Sequence, residues 1–175
     1  METYPHGHSA TETLIPEEQA GGVVEQYREL LVRTRGEARA KEILRPRLHN
    51  FTIFPNLDIL IAQNAVRVVM PISVDRTEIR IYPVRLKGAP LEIFAQSIRY
   101  LNLTHSASSL VQSDDVEAFR RVQEGLEAQS SDWCLVARGL HHEKSVGTGT
   151  RSGHRGSEIG QRHQHQTWLK LMCAG

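Results

Sequence analysis

The chain has 175 residues, with 21 Lys+Arg against 20 Asp+Glu, a length that suits one domain able to fold without a disulfide or a metal. The formal charge of +1 argues against a dedicated nucleic-acid binder, which usually carries a basic stripe, and 39% hydrophobic against 23% charged residues is too apolar for a disordered chain. Cys134 and Cys173 belong to no Cys-x-x-Cys or Cys-x-His pair, so neither a disulfide framework nor an iron–sulfur cluster held by this chain is expected.

Residues 1–15 are polar and lack periodicity, and they read as an irregular leader. Pro16 with Glu17 and Glu18 is a helix-start signal. From Val23 to Leu44 the apolar spacing is helical, Gly36 splits the stretch, and Pro46 ends it. The period then changes to two. Residues 49–54, 57–62, 65–73 and 78–86 read as four strands joined by short turns at Pro55-Asn56, Gln63-Asn64 and Asp75-Arg76, which predicts an antiparallel meander. A helical period returns at Leu91, Phe94, Ile98 and Leu101. Ser113 is a candidate N-cap for a further helix with Val116, Phe119, Val122 and Leu126 as its apolar stripe. Residues 143–157 read as loop, and a last helix runs from about Ser157 to Met172. Helices, a meander and helices again make an α+β domain. No apolar run is long enough to span a membrane, and the first residues lack a signal-peptide pattern. A cytoplasmic protein with free thiols is expected.

Nine histidines are present, yet none shows the i, i+4 spacing that sets two imidazoles on one helix face. His6 and His8 form an H-x-H pair, His141 and His142 are adjacent, and His163 and His165 fall on different faces of the last helix. Gly147-Thr148-Gly149 looks like half a phosphate loop but has no strand before it and no helix opening directly after it. The Ser113-Asp114-Asp115 cluster has two readings. One is a cap with acids matched to the helix dipole. The other turns Asp115, beside Val116 and Phe119, toward the interior, where a carboxylate needs a cation or a metal.

Four blocks, HNFTIFPN, RVVMPISVDRTEIRIY, SDDVEAFRRVQEGL and SEIGQRHQHQTWLKLM, resemble in order the C-terminal catalytic domain of Rieske-type aromatic-ring-hydroxylating oxygenase large subunits. The resemblance runs from about Tyr27 to Met172 and is nearest the benzoate, anthranilate and salicylate branch. It implies a helix-grip (START-like) antiparallel sheet with packed helices, here incomplete, over residues 16–175. It also implies a mononuclear non-haem Fe(II) held by two histidines and one aspartate. That aspartate corresponds to Asp115, with Asp114 and Ser113 beside it as orienting groups.

The family's Asp-x-x-His-x(4,5)-His segment and the cysteine–histidine pairs of its 2Fe-2S Rieske cluster do not occur in this chain. The PHGHS segment with His6 and His8 resembles a Gly-His element that follows the ligand pair. The chain is therefore expected to be an N-terminally truncated piece that alone binds little iron and does not turn over. By resemblance, Asn50, Leu60, His105 and Val111 lie near the ring-binding cavity, His105 at a place often held by a bulky apolar residue. The implied partners are an aromatic substrate and dioxygen, an electron-transfer reductase or ferredoxin, and a homotrimer with or without a small β subunit, but no nucleic acid and no membrane. The alternative is a non-catalytic helix-grip module that binds an apolar small molecule.

Overall fold

The computed structural model describes residues 1–14, 22–44, 47–128, 131 and 133–174. Eight strands and five helices are assigned there. The strands are β1 (Glu2–Tyr4), β2 (His8–Leu14), β3 (Arg47–Ile53), β4 (Leu57–Leu60), β5 (Ala65–Ser73), β6 (Arg76–Pro83), β7 (Lys144–Gly147) and β8 (Thr150–Ser152). The helices are α1 (Val23–Arg35), α2 (Glu37–Ile43), α3 (Leu91–His105), α4 (Leu110–Glu127) and α5 (Ile159–Met172). The strands form one antiparallel sheet in the order β6-β5-β4-β3-β2-β1-β8-β7.

The meander forms where the alternation places it, as β3 to β6. Thr52, Asp58 and Arg67 stand opposite one another across three strands. Thr52 donates to Asp58 Oδ1 at 2.8 Å, and Arg67 Nε and Nη2 grip Oδ2 at 2.8 and 2.7 Å. This row fixes the register, since a slip of one residue would move each partner to the other face. The turn after β4 is a single 3-10 turn, Ile61–Gln63, closed by Asn64 in the left-handed region (φ 47°). Asn64 donates from Nδ2 to Ser97 Oγ at 2.8 Å, which ties this turn to α3. Leu60, Ala65 and Leu101 are buried together with Ile81 against them, so α3 rests on β4 and β5.

Gly36 divides α1 from α2 as its position predicts, because the chain there adopts φ +80°, a conformation open to glycine. The helix start at Pro16 and the stop at Pro46 lie outside the described residues.

Three expectations are corrected. The leader is not irregular: β1 and β2 occupy it and sit inside the sheet, turned by Pro5-His6-Gly7. Their inward positions carry small polar side chains, with Thr3 and Ser9 buried and paired in register, so apolar alternation is absent. The stretch 143–157 is not all loop, since it contains the β7–β8 hairpin. Gly147-Thr148-Gly149 is part of that hairpin and its turn, with Gly149 at φ +72°.

The third correction concerns α4. It begins one turn earlier than expected, capped by Ser109, whose Oγ accepts from the Gln112 amide at 2.9 Å. Ser113 is inside the helix and donates back to Ser109 O at 2.5 Å. Two serines four apart both suit a cap, and nothing between them breaks a helix, so the earlier one begins it.

Candidate metal and substrate site

Asp115 thus stands in the second turn of α4, where the first-turn dipole no longer accounts for it. At 3.6 residues per turn, Val111, Asp115, Phe119, Val122 and Leu126 share one face. The opposite face carries an ionic ladder: Glu117 bonds Arg120 and Arg121, each at 2.9 Å, and Arg120 also bonds Glu124. These guanidinium groups hold the Glu117 carboxyl down at about 2. Asp115 is therefore a carboxylate in an apolar stripe, and Asp114 lies off that stripe.

The stripe is uncovered. Val111, Phe119, Val122 and Leu126 are 54%, 58%, 61% and 70% exposed, and Asp115 is exposed with no side-chain hydrogen bond or ion pair to a described residue. The inward, packed side chain expected of Asp115 is thus not found among the described residues: it is exposed and bonded to none of them.

The sequence-predicted substrate residues fall around one junction. Asn50 and Leu60 are opposite each other in the β3–β4 register. Leu60 is buried beside Leu101, and Asn50 is exposed. His105, the last residue of α3, places Nδ1 2.8 Å from Gln112 Oε1 and Nε2 3.1 Å from Gln63 Oε1. It joins the end of α3 to the turn after β4 and to the first turn of α4, next to Val111. Gln63 and Gln112 were not singled out from the sequence, since an amide in a turn and one in a helix carry no motif of their own.

Two further histidines serve the frame. His8 Nδ1 accepts from the Phe54 amide at 3.1 Å, and His163 Nε2 lies 2.5 Å from Tyr4 O. Among the described residues no three His, Cys, Asp or Glu side chains gather closely enough to hold a metal. The described side chains therefore do not by themselves complete a three-point iron cradle.

The family model described as "Ring hydroxylating alpha subunit (catalytic domain)" matches residues 4–174. This chain belongs to that family. The ring-hydroxylating relatives include the 2-halobenzoate 1,2-dioxygenase large subunit of Burkholderia cepacia, 33% identical over 141 residues, with 80% of this chain and 30% of the relative covered. The anthranilate 1,2-dioxygenase large subunit of Acinetobacter baylyi is 25% identical over 187 residues, covering 99% of this chain and 39% of that one. The naphthalene 1,2-dioxygenase of a Rhodococcus species, solved with indole bound, superposes with a TM-score of 0.70 at 23% identity, covering 99% of this chain and 45% of that one. This ring-hydroxylase chain thus spans 30–39% of the length of these two curated relatives. The mixed architecture of its described residues, five helices with an eight-stranded antiparallel sheet, is the fold of the dioxygenase catalytic domain. No helix among the described residues is long and apolar enough to cross a membrane.

Proposed function

We propose that the chain is the carboxylate-bearing part of an oxygenase large subunit that hydroxylates an aromatic carboxylate with dioxygen at a mononuclear Fe(II). The observation that carries this reading is Asp115, a carboxylate without a described partner within an apolar stripe on α4. A free carboxylate among exposed valine, phenylalanine and leucine side chains suits a buried cation site once that face is covered. Asp115 is the carboxylate arm, and two histidines supplied by a preceding segment are the other arms. The relatives named for halobenzoate and anthranilate support an aromatic acid as substrate.

Around the ring, Leu60 and Val111 supply apolar wall, Asn50 supplies polar atoms, and His105, its ring nitrogens engaged by Gln63 and Gln112, holds that wall in place. Iron, when held, supplies activation of dioxygen. The residues of this chain orient the ring and keep α4 in place. Electrons reach the assembly through a 2Fe-2S Rieske centre from a reductase or ferredoxin, and the large subunit assembles as a trimer, in the cytoplasm. The 175-residue chain alone holds little iron and does not turn over.

The test is a chimera in which this chain replaces the matching stretch of the Burkholderia 2-halobenzoate large subunit, assayed with that enzyme's reductase. Hydroxylation of an aromatic carboxylate, abolished by Asp115→Ala, is the expected result. A folded chimera whose turnover survives Asp115→Ala would overturn the reading. A second reading, a helix-grip module that binds apolar ligands without chemistry, draws on the lack of a three-ligand cluster among the described residues. It predicts an inactive chimera and ligand binding indifferent to Asp115→Ala.

A further inference from the structure

On another part of the molecule, α1, α2 and the Lys87-Gly88 turn enclose a half-open groove of about 830 Å³. Its apolar wall is Tyr27, Leu30, Leu31 and Ile43. Leu31 is buried, whereas Ile43 remains 44% exposed, so apolar surface of the groove stays accessible to solvent. Gly36, at φ +80°, breaks the helix between α1 and α2, the two elements that line the groove.

Three cations stand on the rim: Arg35, Arg39 and Lys87. Arg39 is held by Glu42 at 2.5 Å. Arg35 and Lys87 have no side-chain hydrogen bond and no ion pair with a described residue. Among the described residues no carboxylate lines the groove, and the Thr34 hydroxyl is already committed to Leu30 O at 2.8 Å. An apolar cleft flanked by two cations that pair with no described residue, one from α1 and one from the Lys87-Gly88 turn, suits a ligand with the opposite arrangement: an apolar body and one anionic end.

We propose that this groove binds an amphipathic organic carboxylate, its apolar body lying on Leu30, Leu31 and Ile43 and its carboxylate between Arg35 and Lys87. The volume is within the range of small-molecule clefts and roomy for a single ring, so a fused bicyclic acid fits it better than a monocyclic one. The small size of this recess favours a small molecule over an acidic protein segment, which would need a flatter and larger surface. The site shares no residue with the Asp115 junction, and it stands or falls independently of the oxygenase reading.

The probe is 2-naphthoate, titrated into the 15N-labelled 175-residue chain and read by amide chemical shifts. Saturable shifts are expected at Leu30, Leu31, Arg35, Ile43 and Gly88. The uncharged 2-naphthalenemethanol should bind about tenfold more weakly, because it forgoes the charge-assisted hydrogen bonds. Arg35→Gln and Lys87→Gln, tested singly and each retaining the parent thermal midpoint, should also weaken naphthoate about tenfold. Two variants on separate elements keep the test decisive if one fails to fold. Shifts confined to the α4 stripe, equal affinity for the uncharged probe, or affinity unchanged in both variants would overturn the proposal. So would a groove that responds to a glutamate-rich helical peptide and not to naphthoate.

Discussion

His105 and Gln112 are joined at 2.8 Å across the α3–α4 corner, and the other ring nitrogen of His105 is 3.1 Å from Gln63. One imidazole therefore links the sheet, α3 and the helix that carries Asp115. His105→Phe keeps a planar ring at this corner but makes neither bond. Two half-buried hydrogen bonds are worth about 1–2 kcal/mol together. Urea unfolding should show that loss, and limited proteolysis should cut faster between Ser106 and Ser109, where α4 joins α3.

Glu143 is a deeply buried acid, with its side chain 3% exposed. It bonds Arg162 on α5, itself 10% exposed, and Arg151 on β8 at 3.1 Å. Arg162 also donates to Val136 O at 2.6 Å and to Arg138 O at 3.2 Å. Glu143→Ala leaves a buried guanidinium without its counter-charge. The expected cost is about 3–5 kcal/mol, enough to lower the thermal midpoint by many degrees. Glu143→Gln should lose less, since the amide oxygen still accepts one of those bonds.

The α4 ladder predicts a pH and salt dependence with a defined sign. Glu117 has a folded value of about 2 against an ordinary 4.5, because hydrogen bonds from Arg120 and then Arg121 favour its charged form. A depressed carboxyl stabilises the folded state above the ordinary value. That contribution fades as pH falls from about 4.5 toward about 2. Glu117→Gln should flatten this part of the helical circular-dichroism profile. Because the Glu117 side chain is half-exposed to solvent, about 1 M salt should flatten it too. A profile that keeps its slope in both cases contradicts the ladder.

How much of the fold was legible depends on what the side chains encode. The Gly36 break and the β3–β6 meander were legible because backbone punctuation and alternation both survive in the residue order. β1 and β2 were not, because Thr3 and Ser9 fill buried sheet positions with small polar groups. The β7–β8 hairpin was hidden by a glycine-rich turn that looks like loop. The start of α4 was misplaced by one turn because Ser109 and Ser113 are equally good caps by residue type, and only the structure shows which hydroxyl meets an orphan amide. The position of Asp115 on the apolar face is written in its spacing from Val111 and Phe119. That the face would lie open is not, since a period of 3.6 says which side chains align and not what covers them. Nothing in the residue order marked Gln63 and Gln112 as the partners of His105.

The central claim is that Asp115, rather than its neighbour Asp114, is the carboxylate arm for iron. The direct measurement is the iron content of the purified halobenzoate chimera carrying Asp115→Ala or Asp114→Ala, alongside the unsubstituted form. The predicted result is that Asp115→Ala is stripped of mononuclear iron while Asp114→Ala keeps most of it, with the Rieske absorption unchanged in both. Equal retention of mononuclear iron in the two variants, or its loss only with Asp114→Ala, would contradict the claim.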